Sequence, residues 1–270
     1  MVTQTESDVV KTDREINLMK ISGKITALAL KKVLEQARPG VSCDGLDQIA
    51  KHQMEISRAQ PSFMTVDGYK WTICTTVNQQ VVHGVPTAKE LQDGDILGID
   101  IGASYRGFHT DMAKTVAVGN VSKSTQKFLE IGHLTLKKAI SQAVIDNRIG
   151  DISSTIQGNI EGEGFSVVKS LTGHGIGRQL HEEPLVPGFG KKGSGPKIVE
   201  NMVLAIEVIY AQGSSEVRLE KDGWTISTKD GSLAGLYEQT VAVTRNGPIV
   251  LRKIFLKLWR CISTMGKGKL

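Results

Sequence analysis

Four acidic residues lie inside segments that otherwise have the composition of buried β-strands. Their neighbours are mostly β-branched or aliphatic, which favours strands and predicts burial. One such acid is readily explained by a hydrogen-bond partner or an exposed strand face. Four constrain the fold more strongly, because clustered buried carboxylates raise one another's pKa unless cations stand beside them. The four acids are Asp100, Asp111, Glu207 and Glu238.

Asp100 and Asp111 belong to the two arms of a predicted β-hairpin. Segments 94–102 and 108–118 flank Tyr105-Arg-Gly107, which favours a turn. The two acids are about equally far from this turn. An antiparallel pairing therefore places them near each other, and they can share a face.

A histidine flanked by glycines supplies a different kind of ligand. His174 lies in Gly173-His-Gly-Ile-Gly177, and His181 follows seven residues later. Glycines on both sides favour presentation on bare backbone, although a lone Gly-His-Gly is more often an incidental turn. With the four acids, however, His174 completes a donor set of oxygens and one imidazole. Two divalent cations would balance the four charges, and the donors suit Mn, Fe, Co or Zn at a two-metal site.

The remaining pattern is helices followed by strands, twice over. Helices are predicted from Thr12 to about 37, from 42 or 44 to before 61, over 122–144, and from a capping Asp151 to about 162. Strands are predicted over 71–77, 81–82, 165–168, 202–210, 224–228 and 236–243. The order indicates a mixed α+β fold with two similar halves. The glycine-rich stretch 187–196 lacks the Gly-Lys-Ser/Thr ending of a phosphate loop and is interpreted as a mobile surface loop.

Charge and composition narrow the function classes. Residues 251–270 carry six basic residues and no acid, so they account for the net charge of +5 and leave the body near neutral. A nucleic-acid-binding function of the whole domain is therefore not supported. No apolar run is long enough to span a bilayer, and the polar N-terminus is not a signal peptide. Three widely spaced cysteines fit free thiols in a reducing compartment.

Taken together, the motifs resemble those of the type I methionine aminopeptidases, which have the pita-bread fold. The resemblance covers roughly residues 12 to 251, and the order and spacing of the motifs make it specific. The matching segments are Val81-Val-His-Gly-Val-Pro86, Gly98-Ile-Asp-Ile101, Gly107-Phe-His-Thr-Asp111, Gly173-His-Gly-Ile-Gly177, His181-Glu-Glu-Pro184, Ala205-Ile-Glu207, Lys221-Asp-Gly-Trp-Thr225 and Tyr237-Glu-Gln-Thr240.

The resemblance implies a pseudo-twofold, curved antiparallel sheet covered by helices, and a role for each matching residue. Asp100, Asp111, His174, Glu207 and Glu238 would bind two metal ions (Co, Mn, Fe or Zn), with Asp111 and Glu238 bridging. His83 would contact the substrate near its N-terminus and assist the departing amine. His181 would stabilise the developing oxyanion, and Glu207 would shuttle the proton of the nucleophilic water. The methionine pocket would be lined by Tyr69, Trp224 and Cys74.

Four positions depart from the pattern of the family without removing a ligand. Leu180 stands where a Phe is frequent, and Phe63 where the residue is often smaller. Val208 replaces a Pro that usually follows the glutamate, and Gln239 replaces a frequent His or Asn. These changes bear on pocket shape, rate and metal preference.

The resulting expectation is a metalloaminopeptidase that removes the initiator methionine of nascent proteins with a small second residue, by attack of a metal-activated water. We expect a flexible leader (1–11), a pita-bread catalytic domain (12–251) and a basic tail (252–270) in a cytoplasmic monomer with no DNA partner and no membrane span. The tail packs on the domain or is disordered; ribosomal RNA and a membrane surface are the alternatives.

Three other functional classes fit the sequence less well. Aminopeptidase P and prolidase share the five ligands but usually carry a large extra N-terminal domain, whereas about 80 residues precede His83 here. Non-catalytic pita-bread binding proteins typically lose metal ligands, and all five are present. Type II methionine aminopeptidases carry a helical insertion for which the interval from His181 to Glu207 is too short. His52 and His133 are interpreted as structural, and His109 is left without a role.

Overall fold

Two pairs of helices cover one face of a large antiparallel sheet. The computed structural model describes residues 9–252. The first half begins with α1 (Asp13–Leu34) and α2 (Cys43–Ile56), and the second with α3 (Lys123–Ile140) and α4 (Ile149–Gly162). Each pair precedes the strands of its half, as the sequence pattern predicts.

The central strands of the sheet come from both halves. The strands are β1 Gln60–Pro61, β2 Ile73–Val77, β3 Gln80–Val82, β4 Ile96–Tyr105, β5 Phe108–Ala117, β6 Ser166–Val167, β7 Thr172–Gly175, β8 Glu182–Pro187, β9 Val203–Ala211, β10 Val217–Leu219, β11 Ile226–Thr228, β12 Ala234–Thr244 and β13 Gly247–Val250. In the described part of the chain, ten of these strands form one sheet. Its order is β1-β4-β5-β12-β9-β7-β8, and β2 pairs with β4, β6 with β9 and β13 with β12, while β3, β11 and β10 form a smaller sheet. The predicted hairpin is β4 and β5.

Helix boundaries follow the predicted caps with three corrections, one of which is that α3 ends at Ile140 rather than at 144. The capping box is present, since the Thr12 hydroxyl accepts from the Glu15 N–H and the Glu15 carboxylate accepts from the Thr12 N–H. Helix α1 ends at Leu34 rather than near 37, because the next residues form i→i+3 bonds of a tighter turn. Asp151 is not the N-cap of α4: Arg148 is, and the Asp151 carboxylate accepts the Arg148 backbone N–H from the third helical position.

Alternation along the strands separates an apolar face from an acidic one. The aliphatic residues on either side of Asp100 in β4 belong to the core under α1 and α2. Those on either side of Glu207 in β9 belong to the core under α3 and α4. Because successive side chains point to opposite faces, both acids project from the face that the helices do not cover.

Threonine hydroxyls join the two halves at the seam between β5 and β12. The Thr240 hydroxyl accepts the N–H of Asp111 and donates to its carbonyl, both at 2.8 Å. The Thr115 hydroxyl makes the equivalent pair of bonds with the backbone of Leu236, both at 2.9 Å. All of these groups are buried, so the seam depends on side chains where a regular ladder would use backbone alone.

Replacing the Thr240 hydroxyl is therefore expected to weaken this seam. Thr240→Val keeps the side-chain shape but leaves the buried N–H and C=O of Asp111 unpaired, which we expect to lower the free energy of unfolding by about 2–4 kcal/mol. Denaturant unfolding measures this value. Thr240→Ser keeps the hydroxyl and should lose less than about 1 kcal/mol; equal losses in the two variants would contradict the role of the hydroxyl.

The last residues of the predicted leader contact the folded domain through a buried ion pair. Lys11 is fully buried, and its Nζ lies 2.7 Å from Glu182 Oε2, with the two side chains 0% and 4% exposed. This ion pair joins the end of the predicted leader to Glu182 at the start of β8. The flexibility of the leader stays a prediction. Residues 1–8 and the tail from 253 onward lie outside the described residues. No helix within residues 9–252 is long and apolar enough to cross a membrane.

Candidate metal and substrate site

The five predicted ligands come together on the uncovered face of the sheet. Glu207 and Glu238 are direct cross-strand partners in β9 and β12. Asp111 is paired with Gly102, so Asp100 lies diagonally across from it on the same face of the hairpin. His174 in β7 pairs with Ala205, two residues before Glu207, and therefore also shares this face.

The imidazole of His174 is oriented to present a nitrogen to the acids. Its Nδ1 lies 2.7 Å from the carbonyl oxygen of Gly175, so this nitrogen carries the proton and donates it. The Nε2 then holds the free lone pair and lies 3.6 Å from Glu207 Oε1. Burial lowers the pKa of His174 to about 4, with a smaller contribution from His181. The ring is therefore neutral at physiological pH, the form that binds metals.

The four carboxyl groups are buried and repel one another. Burial, followed by Asp111 and Glu207, raises the pKa of Asp100 well above its ordinary value. Burial also raises the pKa of Asp111 to about 6, and burial with the charge of Asp111 raises that of Glu207. The pKa of Glu238 is raised by burial and then by Asp111, Glu207 and Asp100. Four ionised carboxylates in this arrangement would destabilise the folded protein unless a positive charge lay among them.

The site fits a divalent cation. Ligand atoms of Asp111, His174 and Glu238 all lie within 4.8 Å of one another. Among the described residues, the buried Asp100 Oδ1 and Glu238 Oε1 have no hydrogen-bond partner. Buried polar atoms are normally paired, so oriented and unpaired carboxylate oxygens beside an imidazole lone pair indicate metal ligands.

The ligands form one side of a cavity of about 140 Å³ whose other side is apolar. Tyr69 and Trp224 meet edge to face there, with ring centroids 5.1 Å apart. The Tyr69 hydroxyl lies 3.1 Å from the Cys74 sulfur, and burial raises the pKa of that thiol well above its ordinary value. A neutral buried thiol behaves as a small apolar group. All predicted site residues line this one cavity: Asp100, Asp111, His174, Glu207, Glu238, His83, His181, Tyr69, Cys74 and Trp224.

His83 and His181 stand at the rim, where both residues are exposed. His83 has a left-handed backbone with φ of 57°. The next residue, Gly84, passes the Thr75 carbonyl so closely that an added Cβ would lie 2.0 Å from its oxygen. This tight passage turns the chain after β3 and directs His83 to the cavity. The ring of His181 lies 4.6 Å from that of His174, centroid to centroid.

The sequence did not indicate two apolar residues that line the cavity and one polar contact that supports it. Val66 and Val82 line the cavity, but their types give no signal that distinguishes them from core residues. His109, for which the sequence indicates no role, is buried. Its ring Nδ1 lies 3.0 Å from the Ser62 hydroxyl, and its backbone N–H donates to the Gly177 carbonyl at 2.7 Å. It thus braces the glycine segment that follows His174.

Comparison with known proteins decides the family. The model of metallopeptidase family M24 matches residues 17–244. The chain belongs to metallopeptidase family M24. The methionine aminopeptidase of Clostridium perfringens is similar to this M24 chain, with 46% identity over 246 residues that cover 91% of this chain and 99% of the relative. The crystal structure of methionine aminopeptidase from Thermotoga maritima superposes with a TM-score of 0.89 at 37% identity, covering 91% of this chain and 99% of that one.

These similarities confirm the resemblance to the methionine aminopeptidases and the pita-bread fold. A prolidase from Pyrococcus furiosus superposes with a TM-score of 0.73, covering 91% of this chain and 66% of the prolidase, but it is only 22% identical. That likeness shows the shared fold alone. The prolidase-like alternative is therefore less supported than the methionine aminopeptidase assignment.

Proposed function

We propose that this chain is a methionine aminopeptidase that removes the N-terminal methionine of newly made proteins whose second residue is small. The observation that carries the proposal is the two-sided cavity, which joins a metal-ligand cluster to an apolar compartment. An unbranched thioether side chain suits the wall formed by Tyr69, Cys74 and Trp224. The relatives named above support the same activity.

Asp100, Asp111, His174, Glu207 and Glu238 would hold the metal, and we propose two ions, with Asp111 and Glu238 shared between them. When bound, divalent ions supply Lewis-acid polarisation and lower the pKa of water. Co, Mn, Fe and Zn all suit this mixture of carboxylates and imidazole, and the choice among them is left to experiment.

The chain's own residues would then position the substrate and move protons. The apolar wall binds the methionine side chain and thereby fixes the first peptide bond near the acids. From the rim, His181 donates a hydrogen bond to the scissile carbonyl oxygen, where negative charge develops. Glu207 takes a proton from the attacking water, as a carboxylate within hydrogen-bond reach of that water can. His83 contacts the amine side of the bond and assists the departing amine.

We further propose that the protein acts in the cytoplasm as a monomer. Two free, buried cysteines, Cys43 and Cys74, fit a reducing compartment. Ribosome contact through the basic tail 252–270 remains a prediction, since all of that segment after Arg252 lies outside the described residues.

The test compares two peptides on purified full-length protein that has been stripped with chelator and reloaded with Mn or Co. We expect metal-dependent release of methionine from Met-Gly-Met-Met, no cleavage of an X-Pro peptide, and at least a 100-fold loss in Asp100→Asn. Cleavage of the X-Pro peptide alone would replace the substrate assignment with the prolidase-like one. No cleavage with any metal would contradict the enzyme and favour a binding protein.

A further inference from the structure

His109 lies beside the proposed ligands but does not itself line the cavity. It stands two residues before Asp111 in β5, so both side chains project from the same face of the sheet. Thr110 between them points the other way, and its hydroxyl contacts Ser22 of α1. His109 is only 7% exposed, and a buried polar side chain normally has hydrogen-bond partners. The partners of His109 therefore indicate what the residue does.

The ring of His109 is hydrogen-bonded to the residue that begins one lining segment of the cavity. Its Nδ1 lies 3.0 Å from the hydroxyl of Ser62, which is fully buried. Ser62 precedes the short 3₁₀ helix Phe63–Thr65, but its hydroxyl makes no capping bond there, the usual use of a serine at that position. Ser62 also has no room to move towards β4, since a Cβ added to Gly102 would lie 2.8 Å from the Ser62 Cβ. His109 and β4 together fix the position of Ser62.

Three i→i+3 hydrogen bonds connect Ser62 to the apolar residues of the cavity. The Thr65 N–H donates to the Ser62 carbonyl at 3.0 Å. The Val66 N–H then donates to Phe63 at 3.0 Å, and the Tyr69 N–H donates to Val66 at 3.1 Å. Phe63, Val66 and Tyr69 all line the cavity. The position of Ser62 therefore determines where these three side chains stand.

The backbone of His109 holds a second lining segment. Its N–H donates to the Gly177 carbonyl at 2.7 Å, and the Gly177 N–H donates to the Gln179 carbonyl at 3.0 Å. The next two residues, Leu180 and His181, line the cavity. One residue of β5 is thus bonded to two lining segments that are far apart in sequence. Because β5 lies inside the sheet, between β4 and β12, it gives both segments a fixed reference.

We propose that His109 is a positioning residue that sets the spacing between the two lining segments, and with it the fit of the methionine side chain. The inference rests on the proposed function, since it takes the cavity as the methionine compartment. In this role His109 acts through Ser62 and Gly177 and does not contact the substrate. An apolar pocket recognises a side chain by fit, so loosening one segment should weaken substrate binding more than it slows the reaction that follows.

Kinetics with Met-Gly-Met-Met on the metal-loaded full-length protein test the proposal. Ser62→Ala removes the hydroxyl and keeps the Cβ, and His109→Leu removes the other partner. We expect each to raise KM by about 5–10-fold, the effect of losing one hydrogen bond, with kcat changed by less than about 2-fold. The double variant should raise KM no further than either single one, because both changes remove the same bond. His109→Asn keeps a polar atom near the place of Nδ1 and should restore most of the affinity.

The matched control is Ser22→Ala, which removes another buried serine hydroxyl. Ser22 donates to the Ala103 carbonyl at 2.8 Å on the helix-covered side of the same hairpin, away from the cavity. This variant should lower the thermal unfolding temperature about as much as Ser62→Ala does but leave KM within about 2-fold of the parent. All variants should keep their thermal response to Mn or Co, because the proposed ligands are unchanged.

Three results would overturn the proposal while the proposed function stands. They are an unchanged KM in Ser62→Ala, an equal rise of KM in Ser22→Ala, and a lost thermal response to metal in Ser62→Ala. A parent protein that releases no methionine would instead contradict the proposed function, and the role of His109 would be rejected with it.

Discussion

Glu238→Gln is expected to abolish activity and yet to stabilise the metal-free protein. Changing a residue that holds a metal ligand in place typically lowers activity 10–100-fold. Loss of a proposed ligand itself should therefore lower methionine release by more than about 100-fold. Stability should move in the opposite direction, because the substitution removes one of four mutually repelling buried carboxylates. The free energy of unfolding without metal should rise by about 1–3 kcal/mol at neutral pH.

The raised pKa of Glu238 also determines how the folding stability depends on pH. The folded protein holds a proton on Glu238 more tightly than the unfolded chain does, because the pKa is raised above its ordinary value of 4.5. The loss of folding stability caused by Glu238 is therefore absent at acidic pH. It grows as the pH rises from 4.5 to the raised pKa of the folded protein. The stabilisation of Glu238→Gln relative to the parent should grow over the same range. Thermal unfolding of the chelator-treated, metal-free protein at several pH values measures this stabilisation.

The matched control is Asp47→Asn, a buried carboxylate away from the cluster. Asp47 accepts the N–H groups of Thr72 and Ile73 at 2.7 and 3.1 Å, so its carboxylate has partners. Asp47→Asn should keep its thermal response to Mn or Co, whereas Glu238→Gln should lose most of it. Full activity in Glu238→Gln would contradict its role as a ligand.

Lys11→Met is expected to lower the free energy of unfolding by about 3–5 kcal/mol, the range for removing one partner of a buried ion pair. Methionine fills similar space but leaves the Glu182 carboxylate buried without its cation. The other oxygen of Glu182 accepts the Gln179 N–H at 2.9 Å. Removing the ion pair should therefore also destabilise the loop before His181. Gly177 fits this loop around the lysine stem, since an added Cβ would lie 2.1 Å from Lys11 Cε.

An exposed ion pair nearby serves as the comparison. Arg178 pairs with Glu15 at 2.7 Å, but its side chain is 41% exposed. Arg178→Met should therefore cost no more than about 1 kcal/mol. In the double variant Lys11→Met with Glu182→Gln, part of the lost stability should return because no uncompensated charge remains. A loss below about 1 kcal/mol in Lys11→Met would show that the pair contributes little.

The acids and the hairpin were predictable because their signal is local. A carboxylate among β-branched residues is unusual wherever it occurs, and alternation then fixes the face on which Asp100 and Glu207 lie. The family motifs predicted which residues meet, and the structure brings all of them to one cavity. Their individual roles remain proposals.

The features that the sequence did not predict depend on contacts between residues far apart in the chain. Lys11 looks like an ordinary residue of a polar leader until Glu182, 171 positions away, is placed beside it. Thr115 and Thr240 are common strand residues, and only the pairing of β5 with β12 shows that their hydroxyls replace backbone bonds.

The five candidate ligands are spread over five strands, from β4 near the start of the sheet to β12 near its end. Neither half of the chain holds the set alone, so an ion can be held fully only after β5 has paired with β12. Ion binding would then stabilise the seam against separation, by an amount that grows with the ion concentration relative to its Kd. Amide hydrogen exchange should slow in both halves together when metal is added, and the two halves should open as one cooperative unit.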